Sequence, residues 1–323
     1  MSIFTGLYPQ EHRVLPPSTV LSESITTVPE QFQAHGFRTA GHTEGGFVAG
    51  GYGFSRGFDE FTDTAYRADT DVERTFDRGL DFLRSLTTED RFFLFLHTYS
   101  VHDPYDPPEQ YRSMFWPEPP PASFDSSGEN LRLVNKGELE IDTATVEYFR
   151  SMYDASVRYV DDVLAGFLAE LETLSLTAET TLIITSDHGE EFLEHGKMAH
   201  TQVYPESLYV PLLIVHPQQT TPRRVAEVVE SVDLAPTLFE VAGLEATPSV
   251  SGRSLVPFLA GSATEGYASQ GYSEVFDVEF VRTIVAQDRG ERYQIVMVEP
   301  EFDPVGPWIR DRVTFDVDRG PVR

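Results

Sequence analysis

The sequence predicts an α/β fold with a small antiparallel subdomain at its C-terminal end. Two observations predict the α/β part. Apolar runs of strand length, Arg91-Phe92-Phe93-Leu94-Phe95-Leu96-His97, Thr181-Leu182-Ile183-Ile184 and Val210-Pro211-Leu212-Leu213-Ile214-Val215, are separated by segments of helical period. That alternation is the signature of a sheet covered by helices. The third observation is a change of pattern from about residue 270. Val281 to Ala286 and Tyr293 to Val298 flank Asp288-Arg289-Gly290-Glu291 and read as a hairpin. The expected division is therefore 1–265 for the α/β domain and 266–323 for the subdomain.

The elements follow in order. Residues 28–35 read as a helix, and Phe37 to Ala40 as a short strand leading into a Gly-rich stretch between Gly45 and Gly57. Residues 71–86 place Val72, Phe76, Leu80 and Leu83 on one helical face. The run ending at His97 reads as a buried strand. Residues 103–142 are rich in Pro and polar side chains without a period, and read as a long surface excursion in which substrate recognition would reside. Residues 143–174 carry Val146, Phe149, Tyr153, Val157, Val160 and Leu164 at helical spacing, the clearest helix of the chain. Thr181 to Ser186 reads as a buried strand. Asp233 reads as the cap of a helix that Gly243 ends.

Composition excludes several classes of function. The chain has 323 residues, enough for a large core, and 40% of them are hydrophobic. No apolar run reaches the length of a membrane-spanning helix. The net charge is −28, and all but two of the 24 basic residues are Arg, the exceptions being Lys136 and Lys197. So acidic a surface disfavours nucleic acid, whose phosphates need basic patches. It also reads as halophilic-like, with carboxylates holding a hydrated surface while salt screens their repulsion. No Cys occurs, so disulfides and thiolate metal sites within these residues are excluded. With no leader-like opening segment, the expected compartment is the cytoplasm.

The richest segment is Thr185-Ser186-Asp187-His188-Gly189-Glu190-Glu191-Phe192-Leu193-Glu194-His195-Gly196. A strand that ends in Asp-His-Gly presents a hard oxygen and an imidazole nitrogen at the strand's carboxyl end, where open α/β sheets hold ligands. Gly189 allows a sharp turn, and Glu190 and Glu191 suit the start of a helix. Asp187 and His188 are the candidate metal ligands. His102, in His97-Thr98-Tyr99-Ser100-Val101-His102-Asp103-Pro104-Tyr105, and His200, in Gly196-Lys197-Met198-Ala199-His200, are the candidate catalytic residues. His97 reads as structural, His195 as a local cap or a solvated side chain, and Glu190 and Glu191 as first-turn charges or groups behind the ligands.

These residues carry a resemblance. Asp-His-Gly-Glu-Glu-Phe-x-Glu-His-Gly, a later His, then Val-Pro-Leu-Leu-Ile is similar to the C-terminal metal motif of the sulfatase family, within the alkaline phosphatase superfamily. The opening Ser2-Ile3-Phe4-Thr5-Gly6-Leu7-Tyr8-Pro9 resembles the tail of the signature Cys/Ser-x-Pro-Ser-Arg-x-x-x-x-Thr-Gly. Gly53-Phe54-Ser55-Arg56-Gly57-Phe58-Asp59, His102-Asp103-Pro104-Tyr105 and Asp233-Leu234-Ala235-Pro236-Thr237 match further landmarks in the right order. The resemblance implies a sulfatase or alkaline-phosphatase-like mixed sheet between helices. It implies one divalent metal ion, Ca²⁺ by family habit, although His188 also suits Mn²⁺ or Zn²⁺. It implies a small-molecule or glycan sulfate ester as the partner. It places the nucleophile, a formylglycine made from Cys or Ser, and the first pair of metal-binding Asp residues upstream of Met1.

Under this resemblance the cation acts as a Lewis acid on the sulfate oxygen while the nucleophile attacks sulfur. Asp187 and His188 supply half its shell, and His102 and His200 contact the sulfate or the leaving oxygen. One departure stands out. Where many arylsulfatases have Lys-x-His after the Gly-Tyr-x-Thr-like segment, here Gly36-Phe37-Arg38-Thr39, this chain has Glu44 and Gly46. His200 and His42 are the candidates to replace those cations. Two other readings stay open: a metal-dependent phosphodiesterase or phosphoryl transferase on the same fold, and an inactive remnant that lacks its nucleophile.

Overall fold

Thr27 starts the first full helix of the chain by a reciprocal cap. Its side chain accepts the Glu30 N–H, and its own N–H donates to Glu30 Oε2 at 2.8 Å. The helix, α1 (Val28–Ala34), opens with Pro29 and buries Val28, Pro29 and Phe32. This is seen in a computed structural model that describes residues 1–261 except 16, 18, 65–70, 122, 218, 220 and 248. Beyond these it describes the backbone of strands at 270–276, 280–288, 291–299 and 314–316. The chain divides into two units. The first holds Met1, Ile3–Thr5 and Gln10–Thr180, and the second holds Ser2, Gly6–Pro9 and Thr181–Arg323.

The first unit is built on three parallel strands: β1 (Arg38–Thr43), β2 (Glu60–Asp63) and β3 (Phe92–Leu96), in the order β2-β1-β3. β1 is three residues longer than the apolar pattern predicts at its far end, because Gly41 and His42 pair with both neighbours and Thr43 with β2. The helix α2 (Val72–Ser85) is capped by Asp71, whose carboxylate accepts the Arg74 N–H. Its buried Leu80, Phe82 and Leu83 join Ala40 of β1 in one core cluster. A second cluster gathers Phe4, Val48 and Phe54, with the Phe4 ring 4.7 Å from Phe95 of β3 and 6.0 Å from Phe58.

Residues 103–142 depart from the expected featureless excursion. They contain α3 (Glu109–Phe115) and α4 (Gly128–Asn135), each anchored by one buried side chain, Tyr111 and Leu131. One anchor per short helix gives no readable period, which is why the pattern was silent. The long helix α5 (Thr143–Thr173) follows, capped by Asp142 through a 2.8 Å bond from the Thr145 N–H. Its Phe167 and Leu171 complete the cluster on α2.

The segment Gly53 to Asp59 is structural throughout. Arg56 donates to both oxygens of Glu30 at 3.0 Å and to the carbonyls of Ser22 at 2.9 Å and Ile25 at 2.7 Å. A β-carbon at Gly57 would overlap the backbone of Glu30, so only glycine lets the two strands of chain meet. Asp59 accepts the Thr39 N–H at 2.9 Å. Arg56→Ala removes five charge-assisted bonds and takes the donor from the Ile25 carbonyl, whereas the Ser22 carbonyl keeps the Ile25 N–H. The substitution should destabilise the protein by about 2–3 kcal/mol, read as a lower denaturation midpoint. An unchanged midpoint would remove Arg56 from this role.

Burial also sets an acid sensitivity. Burial lowers the pKa of His12 to about 3 and that of His42 to about 4, from 6.5. His12 Nδ1 accepts the Val14 N–H at 3.0 Å and so is held neutral. Both folded values lie below the unfolded one, so the stability these groups contribute is complete above pH 6.5. It is lost as pH falls towards the folded values. At pH 4 each costs roughly 3 kcal/mol on a scale of about 1.4 kcal/mol per pH unit. His12→Asn keeps an acceptor but cannot protonate. The loss of stability between pH 7 and pH 4 should therefore shrink by about that amount, and an unaltered pH dependence would contradict the assignment.

The second unit begins with β4 (Leu182–Thr185), which pairs antiparallel with β7 (Leu212–Val215). β4 is half-buried along its length rather than fully buried as its apolar run predicts. Between them lie β5 (Glu191–Phe192) and β6 (Met198–Ala199), an antiparallel pair, and a one-turn helix Pro205–Leu208. The helix α6 (Leu234–Val241) is followed by Gly243 in the left-handed conformation, as expected. Asp233 does not cap α6. Its carboxylate accepts the N–H groups of Glu230 and Arg253, both at 2.8 Å, and so closes the preceding turn and holds residues 250–255. A short helix α7 (Val256–Ala260) follows. The C-terminal strands β8 (Gln270–Phe276), β9 (Phe280–Asp288), β10 (Glu291–Glu299) and β11 (Thr314–Asp316) form an antiparallel sheet in the order β11-β10-β9-β8. The expected hairpin is its β9–β10 pair. Among the described residues no helix is long and apolar enough to cross a membrane.

Candidate active site

The end of β4 is held by backbone bonds to the one-turn helix Pro205–Leu208. Gly189 N–H donates to the Ser207 carbonyl at 2.8 Å, and Glu190 N–H to the Glu206 carbonyl at 3.0 Å. A β-carbon at Gly189 would overlap that Glu206 oxygen. Gly189 is thus required for close approach of two backbones. The Ser186 hydroxyl donates to the His188 carbonyl at 2.6 Å and tightens the same turn.

Asp187 and His188 project side by side from this turn. Asp187 Oδ1 lies 3.8 Å from His188 Nε2. The other ring nitrogen, Nδ1, is 2.9 Å from the Gly189 carbonyl. A carbonyl only accepts, so Nδ1 carries the proton and Nε2 keeps its lone pair on the side of Asp187.

Glu190 and Glu191 do not open a helix. Long-range bonds from residues 189 and 190 hold the backbone extended, and Glu191 and Phe192 pair with Ala199 and Met198. The hairpin turns through Leu193 and Gly196, both at positive φ, with Leu193 N–H bonded to the Lys197 carbonyl at 2.9 Å. Its return limb brings His200 back onto His188, with ring centroids 3.9 Å apart and an interplanar angle of 24°. His200 Nδ1 is 3.2 Å from Oε1 of the buried Glu190. The carboxylate orients the imidazole and directs Nε2 away from it. Glu190 was legible in the sequence only as an acidic residue behind the ligands; the hairpin gives it a partner.

A second group occupies the same hairpin. His195 is exposed, as expected, but its ring has partners: Nε2 is 3.1 Å from Glu206 Oε2, and the ring stacks on Tyr204 at 3.7 Å and 11°. Glu191 is fully buried, and burial pushes its pKa up to about 7. Nothing in the sequence pattern links Glu206 to these residues.

The remaining candidates lie in the first unit. His102 donates from Nδ1 within its own turn, 3.0 Å from the Asp103 carbonyl and 3.0 Å from Asp103 Oδ1, with its ring edge-on to Tyr99 at 5.2 Å. His42 is not a cationic anion-holder. It is buried in the sheet with Nδ1 2.9 Å from Thr62 Oγ1, and its lowered pKa keeps it neutral. Glu44, at the place where a Lys is expected, is a buried structural carboxylate that accepts the Tyr99 N–H at 2.7 Å; burial raises its pKa. His97 lies edge-on to Tyr99, with ring centroids 4.9 Å apart, in the same aromatic row.

A family model described as Sulfatase matches residues 1–244. The chain belongs to the sulfatase family. A second model, described as N-sulphoglucosamine sulphohydrolase, C-terminal, matches residues 193–302. Among curated proteins, Arylsulfatase K of Xenopus laevis is 34% identical over 116 residues, 36% of this chain and 22% of that protein. The matched stretch thus spans about a fifth of that relative. The multifunctional alkaline phosphatase superfamily protein PehA of Trinickia caryophylli is 27% identical over 57% of this chain and 40% of its own. Among solved structures, BT4656 in complex with its substrate D-glucosamine-2-N,6-O-disulfate gives a TM-score of 0.75 at 17% identity. That comparison covers 97% of this chain and 79% of that one. The phosphonate monoester hydrolase of Silicibacter pomeroyi gives 0.72 at 19%, covering 91% and 78%. These likenesses establish the sulfatase and alkaline-phosphatase-like α/β fold.

The donor set of this chain fits a divalent cation. One carboxylate oxygen and one imidazole nitrogen lie 3.8 Å apart, with the nitrogen's proton placed on the far side of the ring. Two ligands about 2.0–2.2 Å from a common ion stand at comparable separations. Both side chains are partly open to solvent, so an ion and a substrate oxygen can reach them.

Proposed function

We propose that this chain carries the carboxyl-side part of the active site of a metal-dependent sulfatase that cleaves a sulfate ester of a small molecule or glycan. The observation that carries the reading is the Asp187–His188 donor pair with His200 stacked against it and fixed by Glu190. Asp187 and His188 would hold the cation, and the bound cation would supply Lewis-acid polarisation of the ester oxygen. The mixed oxygen and nitrogen donors favour Mn²⁺ or Zn²⁺ over Ca²⁺. His200 would present Nε2 to the sulfate or the leaving oxygen, where a proton from it offsets charge on the departing alcohol. His102 is proposed for the same work. The sequence Cys/Ser-x-Pro-Ser-Arg does not occur in residues 1–323, so the nucleophile would come from a preceding segment. Residues 1–323 alone should then turn over little nitrophenyl sulfate.

The likeness to PehA and to a phosphonate monoester hydrolase supports a second reading, phosphoester hydrolysis on the same site. The two are separated by measuring kcat/KM of the enzyme, with the preceding segment present, on nitrophenyl sulfate, nitrophenyl phosphate and a bis-nitrophenyl phosphate diester. The sulfatase reading predicts the sulfate ester as the best of the three. A diester turned over more than tenfold faster would replace it by the second reading, and no turnover of any would favour an inactive remnant.

Glu190 gives a narrower prediction. Glu190→Gln keeps the shape but removes the charge that orients His200. Turnover should fall about 10–100-fold with little change in KM. Unchanged turnover would show that His200 needs no partner.

A further inference from the structure

Glu191, His195 and Glu206 bring one ligand atom each to within 4.8 Å of one another. They come from three separate places: β5, the loop of the β5–β6 hairpin, and the one-turn helix Pro205–Leu208. Each is held in position. Glu191 is locked by strand pairing to Ala199. The His195 ring lies flat on Tyr204, 3.7 Å away. The Glu206 backbone is fixed by the Glu190 N–H.

The set carries too much negative charge for its surroundings. Glu191 is fully buried, and among the described residues its carboxylate receives hydrogen bonds only from one amide, Gln202 Nε2, at 3.3 and 3.4 Å. An ionised carboxylate has about four acceptor sites, so most of that capacity is unused. No Arg or Lys is paired with either glutamate among the described residues; the charged groups facing Glu191 are His195, Glu206 and Glu194. Burying the Glu191 carboxylate beside a second, half-buried carboxylate and one imidazole is costly unless a cation accompanies them. The raised pKa of Glu191 is the signature of that imbalance.

We propose that Glu191, His195 and Glu206 form a second divalent-cation site, of the one-imidazole, two-carboxylate type that suits Zn²⁺ or Mn²⁺. The 3.1 Å separation of His195 Nε2 and Glu206 Oε2 matches two ligands sharing an ion once the nitrogen gives up its proton. The ion would tie the hairpin to the Pro205–Leu208 turn. Glu190 and His200 sit on the two limbs of that hairpin, so the site would stiffen the support of the Asp187–His188 pair without joining it.

The test is Zn²⁺ binding by equilibrium dialysis on the full chain. Asp187→Ala with His188→Ala removes the first pair of ligands, and in that background one Zn²⁺ per chain should remain bound. Adding Glu191→Gln, nearly isosteric and already neutral, should weaken the remaining site at least 100-fold, as should His195→Ala. Circular dichroism checks that each variant is folded, and Glu191→Gln carries the conclusion if His195→Ala is not. Two results overturn the proposal: no Zn²⁺ retained in the double variant, or retained Zn²⁺ whose affinity Glu191→Gln leaves unaltered. Neither result touches the Asp187–His188 reading, which is probed by different residues.

Discussion

In the enzyme with the preceding segment present, Asp187→Ala should lower kcat/KM for a sulfate ester by about 10³-fold or more, the several kcal/mol expected of a lost metal ligand. The reasoning starts from the turn. Asp187 is more than half exposed, and its carboxylate accepts the His188 N–H at 3.1 Å within the turn. The fold should therefore survive the substitution, with an unfolding midpoint close to that of the parent. What disappears is the hard oxygen of a two-donor set. Activity should become insensitive to added Mn²⁺, because the remaining imidazole holds an ion weakly. Asp187→Asn keeps the volume and one oxygen but loses the charge, and should fall between the parent and the alanine variant. Full activity in Asp187→Ala, with metal dependence intact, would remove Asp187 from the site.

Gly189→Ala should be as damaging, for a different reason. The added β-carbon would fall on the Glu206 carbonyl oxygen, a backbone atom that cannot rotate aside. The two segments must separate, which breaks the bonds from Gly189 to Ser207 and from Glu190 to Glu206. Overpacking costs about 1–3 kcal/mol, and two lost backbone bonds add roughly 1 kcal/mol each. The variant should melt at lower temperature and bind the metal more weakly, since His188 and Glu190 flank the displaced residue. A parental melting curve together with parental metal affinity would mean that the turn is looser than the geometry requires.

The two predictions mark what was legible in the sequence. Asp187-His188-Gly189 could be read because its strand is a bare apolar run and its chemistry sits in adjacent residues. The long helix Thr143–Thr173 could be read because its buried residues repeat at helical spacing over 31 residues. The segment after Gly189 was misread. Glu190 and Glu191 have the composition of a first helical turn, yet their backbone partners are Glu206 and Ala199, and local preference yields to those distant bonds. The same hairpin carries His200 to His188 and His195 to Glu206. Neither pairing has a sequence signal, because each depends on a turn geometry set by Leu193 and Gly196. His42 is a candidate to replace the missing cations by its place in the sequence alone; with β1 running to Thr43 it is buried in the sheet, and its lowered pKa keeps it neutral. The residues of the family landmark from Gly53 to Asp59 hold the fold, through the Arg56–Glu30 and Thr39–Asp59 bonds.

The central claim is that Asp187 and His188 jointly hold the cation. It is tested most directly by growing crystals in Mn²⁺ and collecting anomalous diffraction at a wavelength where manganese scatters strongly. The account predicts a peak bonded to a carboxylate oxygen of Asp187 and to Nε2 of His188, absent from crystals of Asp187→Ala. Manganese found elsewhere, with no peak between these two side chains, would contradict it.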